Sequence, residues 1–189
     1  MMTRLEIKNS AVDISVEVNV RDSGWNLKLI NVKKLCRKAA TAAWHAAEIL
    51  DTLDSTNNTA EVSISLIGDD EITELNKNYR ARDRPTNVLS FPALDFWTDR
   101  KPPPGAPLLL GDVVIALGIT ECEAREQEKS LANHLSHLVV HGTLHLFGYN
   151  HVKREDTKIM ENLEKTVLAS LAIPDPYSET QVIKAKLSE

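Results

Sequence analysis

Three of the chain's six histidines fall within His141-Gly142-Thr143-Leu144-His145-Leu146-Phe147-Gly148-Tyr149-Asn150-His151. His141 and His145 are four residues apart, so a helix stacks them on one face. Gly148 suits the end of that helix, because glycine enters the left-handed region without a Cβ penalty. The chain can then turn back and bring His151 beside the other two. Three converging imidazoles with one coordination position open are the ligand set of a catalytic zinc, not of a closed structural one. Five of the six histidines lie between His134 and His151, a density that chance does not account for. His134 and His137 share the helical face of His141 and His145. His134 is about 10 Å up the axis from His141, too far to share an ion with it. His137 is one turn from His141 and could compete as a ligand. His145 is preferred because it adjoins the turn that returns His151, which leaves His137 expected behind the ligands or in the core.

The spacing His-x3-His-x2-Gly-x2-His also matches the three-histidine zinc peptidases in outline. In that pattern a glutamate follows the first histidine and serves as general base. Here the position is Gly142, which cannot take a proton. The residues therefore support a metal site more than they support peptidase chemistry.

The rest of the chain must position these groups. A length of 189 residues is expected to form one domain with a proper core. Composition is that of an ordinary globular protein, 42% hydrophobic and 26% charged. The longest apolar stretch, residues 107–119, is interrupted by Gly111 and Asp112 and falls short of the roughly 18 residues of a membrane span. No secretory h-region opens the chain, and Cys36 and Cys122 form no CxxC pair. Both thiols are expected to be reduced in a cytoplasmic protein, and neither is expected to bind zinc. The net charge of −5 excludes polyanion binding by bulk electrostatics. One local basic patch remains, Lys77, Arg80, Arg82 and Arg84, offset only by Asp83.

Residues 14–20 and 61–67 alternate apolar and polar and predict two half-buried strands. A short strand over 5–8 precedes them, and Asp22-Ser23-Gly24 is a turn signal. Residues 32–53 predict a helix with an apolar stripe of Leu35, Ala39, Ala42 or Ala43, Ala46 and Leu50, capped by Asn31. His45 on that helix is expected to be structural. Residues 55–59 form a polar loop. Asp69, Asp70 and Glu71 suit the start of a helix running to Tyr79. Residues 88–91 predict a short strand, residues 95–107 a proline-rich loop, and residues 112–117 a strand buried on both faces. A charged helix over 120–129 follows, and Ser130 caps the histidine helix. Residues 155–171 predict a final helix with Ile159, Leu163, Val167 and Leu171 inward, and residues 176–189 a loose polar tail.

Three stretches together resemble the YbeY family of bacterial metal-dependent endoribonucleases, the rRNA maturation factors. They are Leu75-Asn76-x2-Tyr79-Arg80-x2-Asp83-Arg84-Pro85-Thr86-Asn87-Val88-Leu89-Ser90-Phe91-Pro92, then Leu110-Gly111-Asp112-Val113-Val114-Ile115, then the histidine motif. The resemblance covers roughly residues 60–175. It implies a single-domain α+β fold of zinc-hydrolase type, a small mixed four-stranded sheet packed with five or six helices. It implies cleavage of single-stranded RNA in maturation of the 16S rRNA 3′ end and in ribosome quality control, with rRNA precursor and the small subunit as partners. It implies one zinc ion held by His141, His145 and His151, and a functional arginine at Arg80. Arg82 and Arg84 are further candidates for substrate contact. One departure is Asn150, where the family motif usually has Asp.

Zinc with three neutral ligands keeps its full charge, acidifies water and polarises a phosphoryl oxygen. Nickel also accepts three imidazoles. Arg80 can hold a phosphate bidentately. The proton acceptor stays open between water on the metal, the substrate's own 2′-hydroxyl or phosphate, and a side chain. Asp112 is one such side chain, although a strand-end acid is more often structural. Two other readings stand beside the nuclease: a zinc peptidase, and a ribosome assembly factor that uses zinc structurally without catalysis.

Overall fold

The computed structural model describes residues 13–47, 59–93 and 106–178. The elements run β1 (Asp13–Val20), α1 (Gly24–Lys28), α2 (Val32–Ala46), β2 (Thr59–Ile67), α3 (Asp69–Arg80), β3 (Val88–Pro92), β4 (Leu108–Ala116), α4 (Leu117–Glu126), α5 (Leu131–Leu146) and α6 (Arg154–Ser170). The strands form one sheet in the order β1-β2-β4-β3. β1 pairs with β2 and β2 with β4 in parallel, while β3 runs antiparallel along β4. This is the expected α+β architecture with a mixed four-stranded sheet, and six helices are present among the described residues.

Alternation along the strands divides the apolar residues between two layers. Ile64, Leu66, Val113 and Ile115 join the larger core with the buried faces of α2, α5 and α6. Ile67, Leu89, Val114 and Ala116 face the other way and pack with Ile72 of α3. The second half of β4 is buried on both faces, as its unbroken apolar run predicts. α5 lies directly behind β3 and β4. Ser90 Oγ donates to Gly142 O across 3.0 Å and locks the edge strand to the histidine helix.

Several expectations need correcting. The turn at 22–24 leads into a short helix, α1, because Trp25 is fully buried and its indole Nε1 donates to Ile67 O at 3.1 Å. The inward face of α2 is Val32, Cys36, Ala39, Ala40, Ala43 and Trp44, rotated from the expected stripe. Asn31 precedes α2 in the left-handed conformation and its side chain makes no cap bond. β4 begins at Leu108, and Leu117 opens α4 rather than closing the strand. Asp69 explains that early start: its Oδ1 accepts from the backbone of Gly118 at 2.9 Å and Ile119 at 3.3 Å, satisfying orphan donors of α4 from a neighbouring helix. In α6 the buried side chains are Met160, Glu164, Val167 and Leu168, whereas Ile159 is exposed. The expected strand at 5–8, the end of the helix predicted over 32–53, and most of the loops at 55–59 and 95–107 lie outside the described residues. Among the described residues no helix is long and apolar enough to cross a membrane.

Candidate metal centre

α5 carries four of the histidines as a ladder. Ser130 opens the helix as predicted, its Oγ accepting from Asn133 N at 3.1 Å. Successive ring centroids from His134 to His137 and from His137 to His141 are 6.2 Å apart, then 4.5 Å from His141 to His145. The helix ends in a Schellman turn: Gly148 N donates to His145 O and Tyr149 N to Leu144 O, with Gly148 at φ +86°. Beyond it, Asn150 Oδ1 accepts from Val152 N at 3.1 Å and tightens the bend that returns His151. The His151 ring reaches 5.6 Å from that of His141 and 5.0 Å from that of His145.

The structure thus brings together the three histidines that the spacing selects. One ligand atom from each of His141, His145 and His151 lies within 4.8 Å of the other two. Their tautomers follow from their partners. His141 donates from Nδ1 to Glu164 Oε1 at 2.9 Å, and His145 donates from Nδ1 to Tyr149 O at 2.9 Å. That leaves each Nε2 as a bare lone pair, and the two are 3.0 Å apart. Two facing lone pairs repel unless a cation lies between them. Tetrahedral zinc with bonds of about 2.0–2.1 Å separates its ligand nitrogens by roughly 3.3 Å. The donor set therefore fits a divalent ion. Burial pushes His145 down to about 4, so it is a neutral, ligand-ready imidazole at neutral pH.

Behind the triad lies a buried acid that the amphipathic reading of α6 passed over. Glu164 accepts from His141 on one oxygen and from His137 Nε2 on the other, at 2.8 Å. The Tyr177 hydroxyl donates to that second oxygen as well. Burial would raise this carboxyl, but the hydrogen bonds from His137 and His141 outweigh it and hold it at about 2. The same burial and the facing carboxylate push the Tyr177 phenol well up. His137, His141 and Glu164 also form a compact ligand group. Their atoms are already consumed by one another and by Tyr177, so the open cluster is the one completed by His151. His137 takes the supporting place expected of it. The segment at 176–178 is not loose: Pro176 O accepts from Lys129 Nζ at 2.6 Å, and Tyr177 closes over Glu164. Of the two glutamates between Met160 and Leu168, Glu164 stands at the helical spacing of the inward face, and that was the signal available in the sequence.

Gly142 faces the sheet. A Cβ there would come within 2.6 Å of Val113 Cγ1 and 3.2 Å of Ser90 Oγ. The position that holds the base in peptidases is thus filled by packing. Arg80, Arg82 and Arg84 are exposed on the end of α3 and the loop beyond it. The loop is pinned by Asn76, whose Nδ2 donates to Arg84 O at 2.7 Å. Lys77 is paired with Asp83 at 2.8 Å. Among the described residues, none of the three arginines pairs with an acid or touches the histidines. Asp112 is exposed on β4 opposite Phe91, with no hydrogen bond to the triad among the described residues. Cys36 is buried and Cys122 exposed; both are free thiols, and neither joins a ligand group among the described residues.

The family model described as Endoribonuclease YbeY matches residues 19–172. The chain is 44% identical over 168 residues to an endoribonuclease YbeY of Paramagnetospirillum magneticum, covering 89% of this chain and 98% of the relative. It is 45% identical over 139 residues to that of Dichelobacter nodosus, covering 72% of this chain and 86% of the relative. The solution structure of a Thermotoga maritima protein shares the fold, with a TM-score of 0.50 and 24% identity over 84% of this chain and 92% of that one.

Proposed function

The chain belongs to the YbeY endoribonuclease family, and from that premise we propose that it is a zinc-dependent, single-strand-specific endoribonuclease of rRNA processing. Its substrate is RNA, and its setting is 16S rRNA 3′-end maturation and quality control of the small ribosomal subunit in the cytoplasm. The whole chain is read as one catalytic domain. The observation that carries the metal-dependent reading is the pair of bare Nε2 atoms of His141 and His145, 3.0 Å apart, with His151 returned beside them.

His141, His145 and His151 would hold the zinc ion, which when bound would supply Lewis acidity toward a phosphoryl oxygen and lower the pKa of nearby water. The chain's own residues do the rest. Glu164 and the carbonyl of Tyr149 fix the two imidazoles in the tautomer that leaves Nε2 free. Arg80 supplies a planar cation that grips a phosphate, and Arg82 and Arg84 extend the basic track along the backbone. Burial of Gly142 against Val113 and Ser90 removes the side chain a peptidase would use, so peptide hydrolysis is disfavoured.

The test is cleavage of an rRNA precursor by purified protein whose metal content is measured in parallel. His141→Ala is expected to lose both the ion and cleavage. Arg80→Ala is expected to keep the ion and lose about 100-fold or more in rate, the scale of one removed transition-state contact. Parental rates from both variants would refute the assignment.

A further inference from the structure

A cavity of about 410 Å3 opens beside the triad and shares His141 with it. It falls within the roughly 300–1,000 Å3 of small-molecule sites. A second cavity on the other side of His141 and Tyr177 is about 200 Å3 and falls short of that range. The larger one is walled by the start of β3, the end of α4, the histidine ladder and the segment at 176–177.

Its chemistry centres on Glu123. Asn87 Nδ2 donates to both carboxylate oxygens, at 3.1 and 3.0 Å, and His134 Nε2 donates to Oε2 at 2.8 Å. Asn87 is itself oriented, its Oδ1 accepting from Val88 N at 2.7 Å. The carboxylate is therefore held rigidly, yet 29% of its side chain stays exposed in a residue that lines the cavity. Burial opposes its ionisation, but the bonds from His134 and Asn87 prevail and hold it below the usual range. Among the described residues, the ammonium in the wall is that of Lys129, which Gln127 Oε1 and Pro176 O engage. A fixed anion with its neighbouring cation already engaged repels phosphate and accepts from N–H donors.

We propose that this cavity receives the nucleobase next to the phosphodiester presented to the histidines, and that Glu123 reads an amino group on its edge. This rests on the nuclease reading. Cytosine, adenine and guanine offer an exocyclic amine to such an acceptor and uracil does not. A base can enter a side cavity only when it is unpaired and unstacked, so the same feature selects single strands over duplex.

The experiment uses the full-length, metal-loaded protein and a short single-stranded oligoribonucleotide whose cut is first mapped. Each nucleotide flanking the cut is then replaced by an abasic ribose or by uridine. One abasic position is expected to lower kcat/KM at least 10-fold. Gln127→Trp, which fills the rim outside the triad and leaves Lys129 its bond to Pro176 O, is expected to cut the intact oligomer as slowly as the parent cuts the abasic one. Glu123→Gln is expected to lose the preference against uridine at that position. Binding of intact and abasic oligomers to chelator-stripped protein, read by fluorescence anisotropy, separates the subsite from the chemistry. Base-dependent binding without cleavage would remove the nuclease reading and keep the cavity's role. Cleavage indifferent to every abasic position, or unchanged in Gln127→Trp, overturns the proposal.

Discussion

Glu164 shows how one buried carboxylate orients a candidate metal centre from behind. It holds His141 through one oxygen and ties His137 and Tyr177 to the other. Glu164→Gln keeps the shape but offers an amide N–H or a weaker acceptor to rings that need a carboxylate. Metal affinity, read by chelator competition, is expected to fall roughly 10- to 100-fold while the fold persists; an unchanged affinity would show that Glu164 serves packing alone. Acid stability of the stripped protein follows from the same groups. His145 falls from 6.5 to about 4 on folding, so the unfolded chain takes up its proton first as pH drops. That contribution is whole above 6.5 and is lost between 6.5 and about 4. Glu164 falls from 4.5 to about 2, so its contribution is whole above 4.5 and is lost below it. Urea midpoints should therefore decline in two successive windows, and Glu164→Gln should shrink only the lower one, to which Glu123 also contributes. Asn150 needs no charge for its part in the bend, because its carbonyl oxygen already accepts from Val152 N.

At the scale of elements, α5 is held from both ends and from its middle. Ser130 caps its start, Gly148 closes its end, and Gly142 lets it approach the sheet. Gly142→Ala must displace Val113 or Ser90 and is expected to cost about 1–3 kcal/mol in thermal or chemical unfolding. A neutral result would mean the helix can ride further from β4 than its packing implies. The boundaries of α5 were legible because a cap, a period and a terminal glycine agreed. The faces of α2 and α6 were not. In α2, runs of alanine make several stripes nearly equal in hydropathy, and the fully buried Trp44 falls off the stripe they suggest. In α6 the inward glutamate broke the apolar stripe, so the pattern favoured Ile159 over the true face. α1 is too short to show a period, and it exists because Trp25 must reach Ile67 O. The Glu123–Asn87–His134 wall joins three elements distant in sequence, and no local motif announces it.

At the scale of the whole molecule, a net charge of −5 has to be reconciled with an RNA substrate. The proposed function meets this locally: Arg80 ends α3, and Arg82 and Arg84 lie on the exposed, pinned loop that runs on to Asn87 in the cavity wall. Such a small basic track predicts shallow salt dependence. Each arginine that meets a phosphate contributes about 0.7 to the slope of log K against log salt for single strands. Arg82→Ala and Arg84→Ala should each reduce the slope of oligomer binding by about that amount, and a slope unmoved by both would take them off the RNA path. The site also has an order of manufacture. The ladder on α5 is made first, Glu164 comes a helix later, and Tyr177 comes later still. A growing chain therefore holds its histidines before it can fold the carboxylate and the phenol of residues 164 and 177 against them.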